Sequence, residues 1–294
     1  DNLGFEADGK ALQWEYDKKN IDIAKITLNK PLKSGEKVLI QTPFLVKIPN
    51  SFSRLGHVDQ SYQITQWYPK PAVYDAKGWH PIPYLDQGEF FSEFGSFEVT
   101  ITLPQNYVVG ATGELQNPEE MEWLNQKAAD TEALSGKFDI KDLSFPPSSP
   151  QLKTITYKQD SIHDFAWFAD KRFHVLKDTV QLPNSTQKVV TWAMFTNEES
   201  DLWTEGAKYV ANAVYFYSDK VGLYPYKHCT ALQSALSAGA GMEYPMITVI
   251  GKSGSAKSLE QVIVHEVGHN WFYGLLATNE RQHPWMDEGM NSYY

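Results

Sequence analysis

Between Val262 and Gly274 the chain reads VIVHEVGHNWFYG, with two histidines four residues apart and a glutamate directly after the first. The neighbours Val262, Ile263, Val264, Val267, Trp271 and Phe272 are apolar, so this segment belongs in an interior. Three ionisable groups within five buried positions are costly unless something compensates them, and a metal ion does so most directly. On an α-helix, positions i and i+4 lie one above the other. His265 and His269 can therefore offer imidazole nitrogens to one ion about 2 Å from each, while Glu266 projects from an adjacent stripe.

A catalytic zinc needs a third protein ligand and one open position for water. Downstream stands LLATNERQHPWMDEGMNSYY, where the first helix should finish near Leu275 or Leu276 and a second should begin around Pro284. That second helix carries Glu288, with 18 residues between it and His269, enough for a turn and an antiparallel return over the histidines. The expected set is His265, His269 and Glu288 around one Zn2+ per chain, in the pattern HExxH-x18-E. Phe272 and Leu275 occupy the places where a metzincin needs Gly and His, and a thermolysin-type spacing would put the carboxylate at Gly289. Zinc so held brings its water toward a pKa of about 7. Glu266, beside a ligand without being one, is the expected general base.

The elements that must position this set change character along the chain. IDIAKITLNK, KVLIQTPFLVKIP, FGSFEVTITLP and YVVGATG show the short alternation of strands over residues 1 to about 115. The Pro- and aromatic-rich TQWYPKPAVYDAKGWHPIPYLDQGEFF between them reads as a long packed loop. Asn117 as N-cap, Pro118 at the first position and Glu119 and Glu120 in the first turn predict a surface helix over 117–134. SFPPSSPQ is a loop, TITYKQ a strand, and the boundary between domains falls near 173–182. Beyond it the pattern is mixed α/β: a strand over 188–195, a helix over 198–220, the strand CTALQSA, a Gly-rich turn SAGAGMEYP, the strand MITVIG and the helix with the two histidines. The expected class is α+β, with a β-rich domain over 1–176 followed by a catalytic domain over 177–294.

These residues resemble the M1 family of zinc aminopeptidases. HEVGHNWFYG is similar to that family's HExxHxWFG segment, PWMDEGMN to its WLNEG segment, and GAGMEYP to its GxMEN motif, in matching order. The resemblance implies a saddle-like N-terminal domain and the first part of a thermolysin-like catalytic domain. It also implies that Glu243 binds the free α-amino group of a peptide, which makes the chemistry that of an exopeptidase. Gly239, Ala240, Gly241 and Met242 would line the substrate, the small residues letting the backbone approach and pair with an extended peptide. Tyr244 stands where the family usually has Asn, and Tyr68 where many members place a Glu or Gln that helps hold the amine. The family's oxyanion-stabilising tyrosine is expected beyond residue 294.

With 42% hydrophobic residues and a net charge of -10, the chain is globular, and nothing in it offers the clustered Lys and Arg that nucleic acid requires. No apolar run approaches the length of a transmembrane span. The start at Asp1 and the stop at Tyr294 read as a fragment of a longer protein, exported or periplasmic if a targeting segment was removed. Cys229 alone can form no internal disulfide and should pack as a small hydrophobe. His57, His80, His163, His174, His228 and His283 read as ordinary surface or hydrogen-bonded residues, DFAWFAD as core, and Asp287 as either an orienting partner for a histidine or a helix cap. Two rivals to the aminopeptidase remain open: a scaffold of this fold without turnover, and a zinc hydrolase acting on a non-peptide such as an epoxide.

Overall fold

Strand pairing in the first half follows the alternation of the sequence over FGSFEVTITLP, YVVGATG and TITYKQ, whereas KVLIQTPFLVKIP, expected as a strand, pairs only through Ile40–Gln41 and leaves Leu39, Leu45 and Val46 exposed. The computed structural model describes residues 3–51, 53–85, 88–235 and 241–294. Gly95–Pro104 runs antiparallel to Leu152–Ile162. Thr100 meets Thr156 and Thr102 meets Thr154 on the exposed face, while Ile101, Leu103, Ile155 and Tyr157 face the core. Val108–Ala111, Trp167–Asp170, Ser61–Ile64 and Gly56–Val58 make a four-stranded sheet.

Two more expectations change here. The stretch expected as one long loop contains a hairpin, Val73–Asp75 with Gly78–His80, because the Asp75 carboxylate accepts the Lys77 N–H at 2.7 Å and closes a turn completed by Gly78 at φ 101°. The helix Pro118–Ala133 starts where expected, but it does not merely decorate the surface. Asn117 Oδ1 accepts the Thr156 N–H at 2.7 Å and ties the helix start to the long strand instead of capping it, and Leu124 and Ala128 are buried.

The second half carries a five-stranded sheet in the order His174–Gln181, Lys188–Phe195, His228–Gln233, Ile247–Ile250 and Gly241–Tyr244. The central pairings are parallel and both edge pairings antiparallel. Residue 176 lies within the first of these strands. The helix expected over 198–220 is divided into Ser200–Trp203 and Gly206–Lys220, a break that turns Trp203 fully into the core. Gly241–Tyr244, expected as a turn, is an edge strand, since its backbone pairs with Ile247–Ile250. One apolar core joins both halves, running from Val109, Ile155 and Phe165 to Val210, Val214, Ile263 and Val267. Cys229 is fully buried.

The helix with the histidines spans Ala256–Gly268 and is capped by Ser255, whose hydroxyl accepts the Ser258 N–H at 3.2 Å. Leu259, Ile263 and Val267, spaced by four, form its buried stripe. It ends earlier than its apolar continuation suggests. A wider π-turn over Asn270–Leu275 follows, broken by Phe272 (ψ 87°) and by Tyr273 at φ 123°, whose ring rests edge-on against His163 at 4.5 Å. A short 3-10 turn, Pro284–Met286, then leads into the helix Glu288–Tyr293.

Candidate metal centre and active site

His265 and His269 leave the last turn of the Ala256–Gly268 helix on one face, with their Nε2 atoms 3.2 Å apart. Glu288, first residue of the returning helix, brings Oε2 to 3.4 Å from His265 Nε2 and 3.6 Å from His269 Nε2. Ligands about 2.0 to 2.1 Å from a tetrahedral ion stand roughly 3.3 to 3.4 Å from one another, so this triangle fits zinc. The three donors of the HExxH-x18-E pattern form one of the two candidate metal groups among the described residues. The other, Glu243, His269 and Asp287, uses the opposite nitrogen of the same imidazole.

That opposite nitrogen is already engaged. His269 Nδ1 donates to Asp287 Oδ1 at 2.5 Å, which selects the tautomer whose Nε2 lone pair faces His265 and Glu288. Of the two roles open to Asp287 from sequence, the structure places it against the histidine. It also precedes Glu288 as the N-terminal flank of the helix, yet its side chain makes no cap bond. Asn291, one turn further, donates from Nδ2 to the His265 carbonyl at 2.8 Å and locks the two helices together. The approach requires Gly268: a Cβ there would collide with Asn291 Oδ1 and lie 2.5 Å from Cζ of buried Tyr217.

Glu266 is buried, and its Oε2 has no hydrogen-bond partner. Burial, and then the charge of Glu243, push its carboxyl up to about 9; burial likewise pushes Glu243 up to about 7. For His269 burial works against a proton, but the carboxylates of Glu243, Asp287 and Glu266 overcome it and push the imidazole up to about 10. Such a concentration of negative potential around two imidazoles favours a divalent cation, whose presence lowers the neighbouring carboxyls in turn. Glu288 is held below the usual carboxylate range by its contact with His265.

The edge strand carries Glu243 to this cluster, with Oε1 4.0 Å from His269 Nδ1. Gly241 lies directly over Glu266, so close that a Cβ would stand 2.5 Å from the Glu266 Cδ. Met242 alternates to the other side and joins the apolar core with Leu232 and Val249, so its side chain is not brought to the cluster. Gly239 and Ala240 lie outside the described residues. Tyr68 is occupied elsewhere, donating to Asp164 Oδ1 at 2.9 Å, while Tyr244 is buried and donates to Gln66 Oε1 at 3.4 Å. Asn291 escaped the sequence reading, although its place three residues after Glu288 puts it on the same helical face.

No protein-family model matches this sequence, and no curated protein matches it. Solved structures do. An M1 zinc metallopeptidase from Deinococcus radiodurans aligns with all of this chain and 60% of its own, at 18% identity and TM-score 0.58. A two-domain M1 zinc metallopeptidase variant bound to L-arginine covers the same shares at 19% identity and TM-score 0.55. Aminopeptidase A of Legionella pneumophila, in complex with aspartic acid, aligns with 93% of this chain and 30% of its own, at 13% identity and TM-score 0.59. The class defined is thus a mixed helix and sheet fold shared with the N-terminal part of M1 zinc metallopeptidases. The chain spans about 60% of the Deinococcus enzyme's length and about 30% of the Legionella one's. No helix among the described residues is long and apolar enough to cross a membrane.

Proposed function

We propose that this chain carries the zinc site of an aminopeptidase that removes residues from the free N-terminus of peptides. The reading is carried by the convergence of His265, His269 and Glu288, at 3.2 to 3.6 Å from one another, beside the buried carboxyl group of Glu266, whose Oε2 has no hydrogen-bond partner. When bound, zinc supplies Lewis acidity that brings water near neutral pKa and stabilises a developing oxyanion. Glu266 takes the proton of the attacking water and delivers it to the leaving amine. Asp287 keeps His269 in the ligating tautomer, and Asn291 holds the His265 turn against the Glu288 helix. Glu243, buried at the edge strand, binds the substrate ammonium and so limits cleavage to the first peptide bond. A buried carboxyl group with one oxygen left unbonded beside the ligand set has no use in a scaffold without turnover, which favours the enzyme over that rival. The likeness of the whole chain to M1 zinc metallopeptidases supports a saddle-like first domain and a thermolysin-like second one, with the expected division moved from residue 176 to before the strand His174–Gln181.

The test is a double cycle of aminoacyl and acetyl-aminoacyl reporter substrates on wild type and Glu243→Ala. Either change alone should reduce kcat/KM by the equivalent of about 2 to 5 kcal/mol, because one member of a buried ion pair is left unpaired. Both together should cost far less than their sum. Equal cleavage of blocked and free substrates by wild type would instead make this an endopeptidase or a hydrolase of another kind.

A further inference from the structure

Asp287 is fully buried and uses Oδ1 to accept from His269 Nδ1 at 2.5 Å. Its Oδ2 is buried as well, and no backbone N–H, amide, hydroxyl or cationic group among the described residues donates to it. A carboxylate oxygen left bare in an interior keeps its full desolvation cost, so a donor belongs there. The side chain that meets it is Glu280, which is itself buried, carries an equally bare Oε2 and is hydrogen-bonded to Asp287. Two tight turns bring the pair together. The N–H groups of Gln282 and His283 donate to the Asn279 carbonyl at 3.1 and 2.9 Å and fold the chain around Glu280, and the Asp287 N–H donates to the Pro284 carbonyl at 3.2 Å. His269 Nδ1 also has a second acceptor, the Phe272 carbonyl at 3.2 Å, which is the one that remains if Asp287 turns away.

We propose that Glu280 is a positioning residue of the metal site: it carries a proton and donates it in a hydrogen bond to Asp287 Oδ2, leaving Oδ1 to hold His269. This rests on the zinc reading of His265, His269 and Glu288. Two ionised carboxylates can only accept and repel one another, so a hydrogen bond between them requires one proton. Asp287 keeps its charge because it accepts from His269 Nδ1, and the proton therefore resides on Glu280. Burial, and then the bond to Asp287, push the Glu280 carboxyl up to about 8, which agrees with a proton held at neutral pH. The Asp287 carboxylate is thus gripped from both sides, by Glu280 at one oxygen and His269 at the other. Held so, it fixes the plane in which the imidazole presents Nε2 to the metal.

The experiment measures zinc affinity by chelator competition on the intact protein, which needs no turnover. Glu280→Gln keeps a donor of the same shape and should hold zinc within about threefold of wild type. Glu280→Leu keeps the bulk without the donor and should weaken zinc by about 10- to 100-fold. In an Asp287→Ala background the same leucine should change affinity by less than about threefold, because Glu280 acts through Asp287. Infrared difference spectra of zinc-loaded wild type and Glu280→Gln at neutral pH should show a carboxylic-acid C=O band in the wild type alone. A merely structural glutamate would not give that band, and it is read even where the leucine variant fails to fold. Absence of the band, a glutamine as damaging as leucine, a leucine variant with wild-type affinity, or an equal loss in the Asp287→Ala background would overturn the proposal. So would a second metal equivalent lost on Glu280→Gln, since a cation would then sit where the proton is placed. All of these outcomes leave the zinc reading standing, whereas a wild type that binds no zinc overturns both.

Discussion

Under the proposed function, alanine at position 241 should abolish most turnover while leaving bound zinc in place. The added Cβ would lie 2.5 Å from Cδ and 2.6 Å from Cγ of Glu266, and nearer still to Oε1, whereas ordinary contact begins at 3.4 Å. The carboxyl group must therefore retreat by the difference between 3.4 and 2.5 Å, about 0.9 Å. Gly241 does not sit in the left-handed region, so the backbone accepts alanine and the strain falls on the glutamate. Moving a reacting group by about 1 Å costs on the order of 10² in rate, and losing the base altogether 10² to 10⁴. Gly241→Ala should therefore lose about 10² to 10³ in kcat, with one zinc per chain and a stability loss of no more than about 1 to 3 kcal/mol. Steady-state kinetics, metal analysis and thermal unfolding on one preparation measure all three. Added to Glu266→Gln, the alanine should do little further harm, since the group it displaces is already disarmed. Turnover within threefold of wild type, with zinc bound, would refute the placement of Glu266 under the edge strand.

Asp287→Asn should weaken zinc binding by about 10- to 100-fold in chelator competition while the chain stays folded, because it removes the charge-assisted bond to His269 Nδ1 at 2.5 Å. Buried His163, whose imidazole burial pushes down to about 4, should make the protein acid-sensitive. The unfolded chain takes up this proton near pH 6.5 and the folded chain only near 4, so the contribution is full above about 6.5 and lost as pH falls toward 4, about 3 kcal/mol in all. Denaturant unfolding of His163→Gln between pH 7 and 4 should show a correspondingly smaller acid loss than wild type.

That His265, His269 and Glu288 would meet was legible because helical spacing is a local rule: four residues stack His265 over His269, and 18 residues suffice for a return to Glu288. That Glu266 would lie buried beside this triangle followed from its place next to His265. What eluded the sequence was set by pairing at a distance. GMEYP looks like a turn because glycine and proline frame it, yet it is a strand, because its neighbour Ile247–Ile250 supplies the hydrogen bonds. Met242, expected at the substrate, alternates into the core as a consequence of that strand. The helix ends at Gly268 and not near Leu275, since the apolar Trp271, Phe272 and Tyr273 are buried by a π-turn as readily as by an α-helix. Arg54 and Glu89 stand 35 residues apart and meet only through the fold of the first half.

Zinc content and turnover of Glu266→Gln, measured on one preparation of the intact protein, test the central claim most directly. The amide keeps the size and burial of the side chain but cannot take a proton, so about one zinc per chain should remain while kcat falls by about 10² to 10⁴. Turnover near the wild-type value with zinc bound would contradict the account, because proton transfer would then belong to some other group.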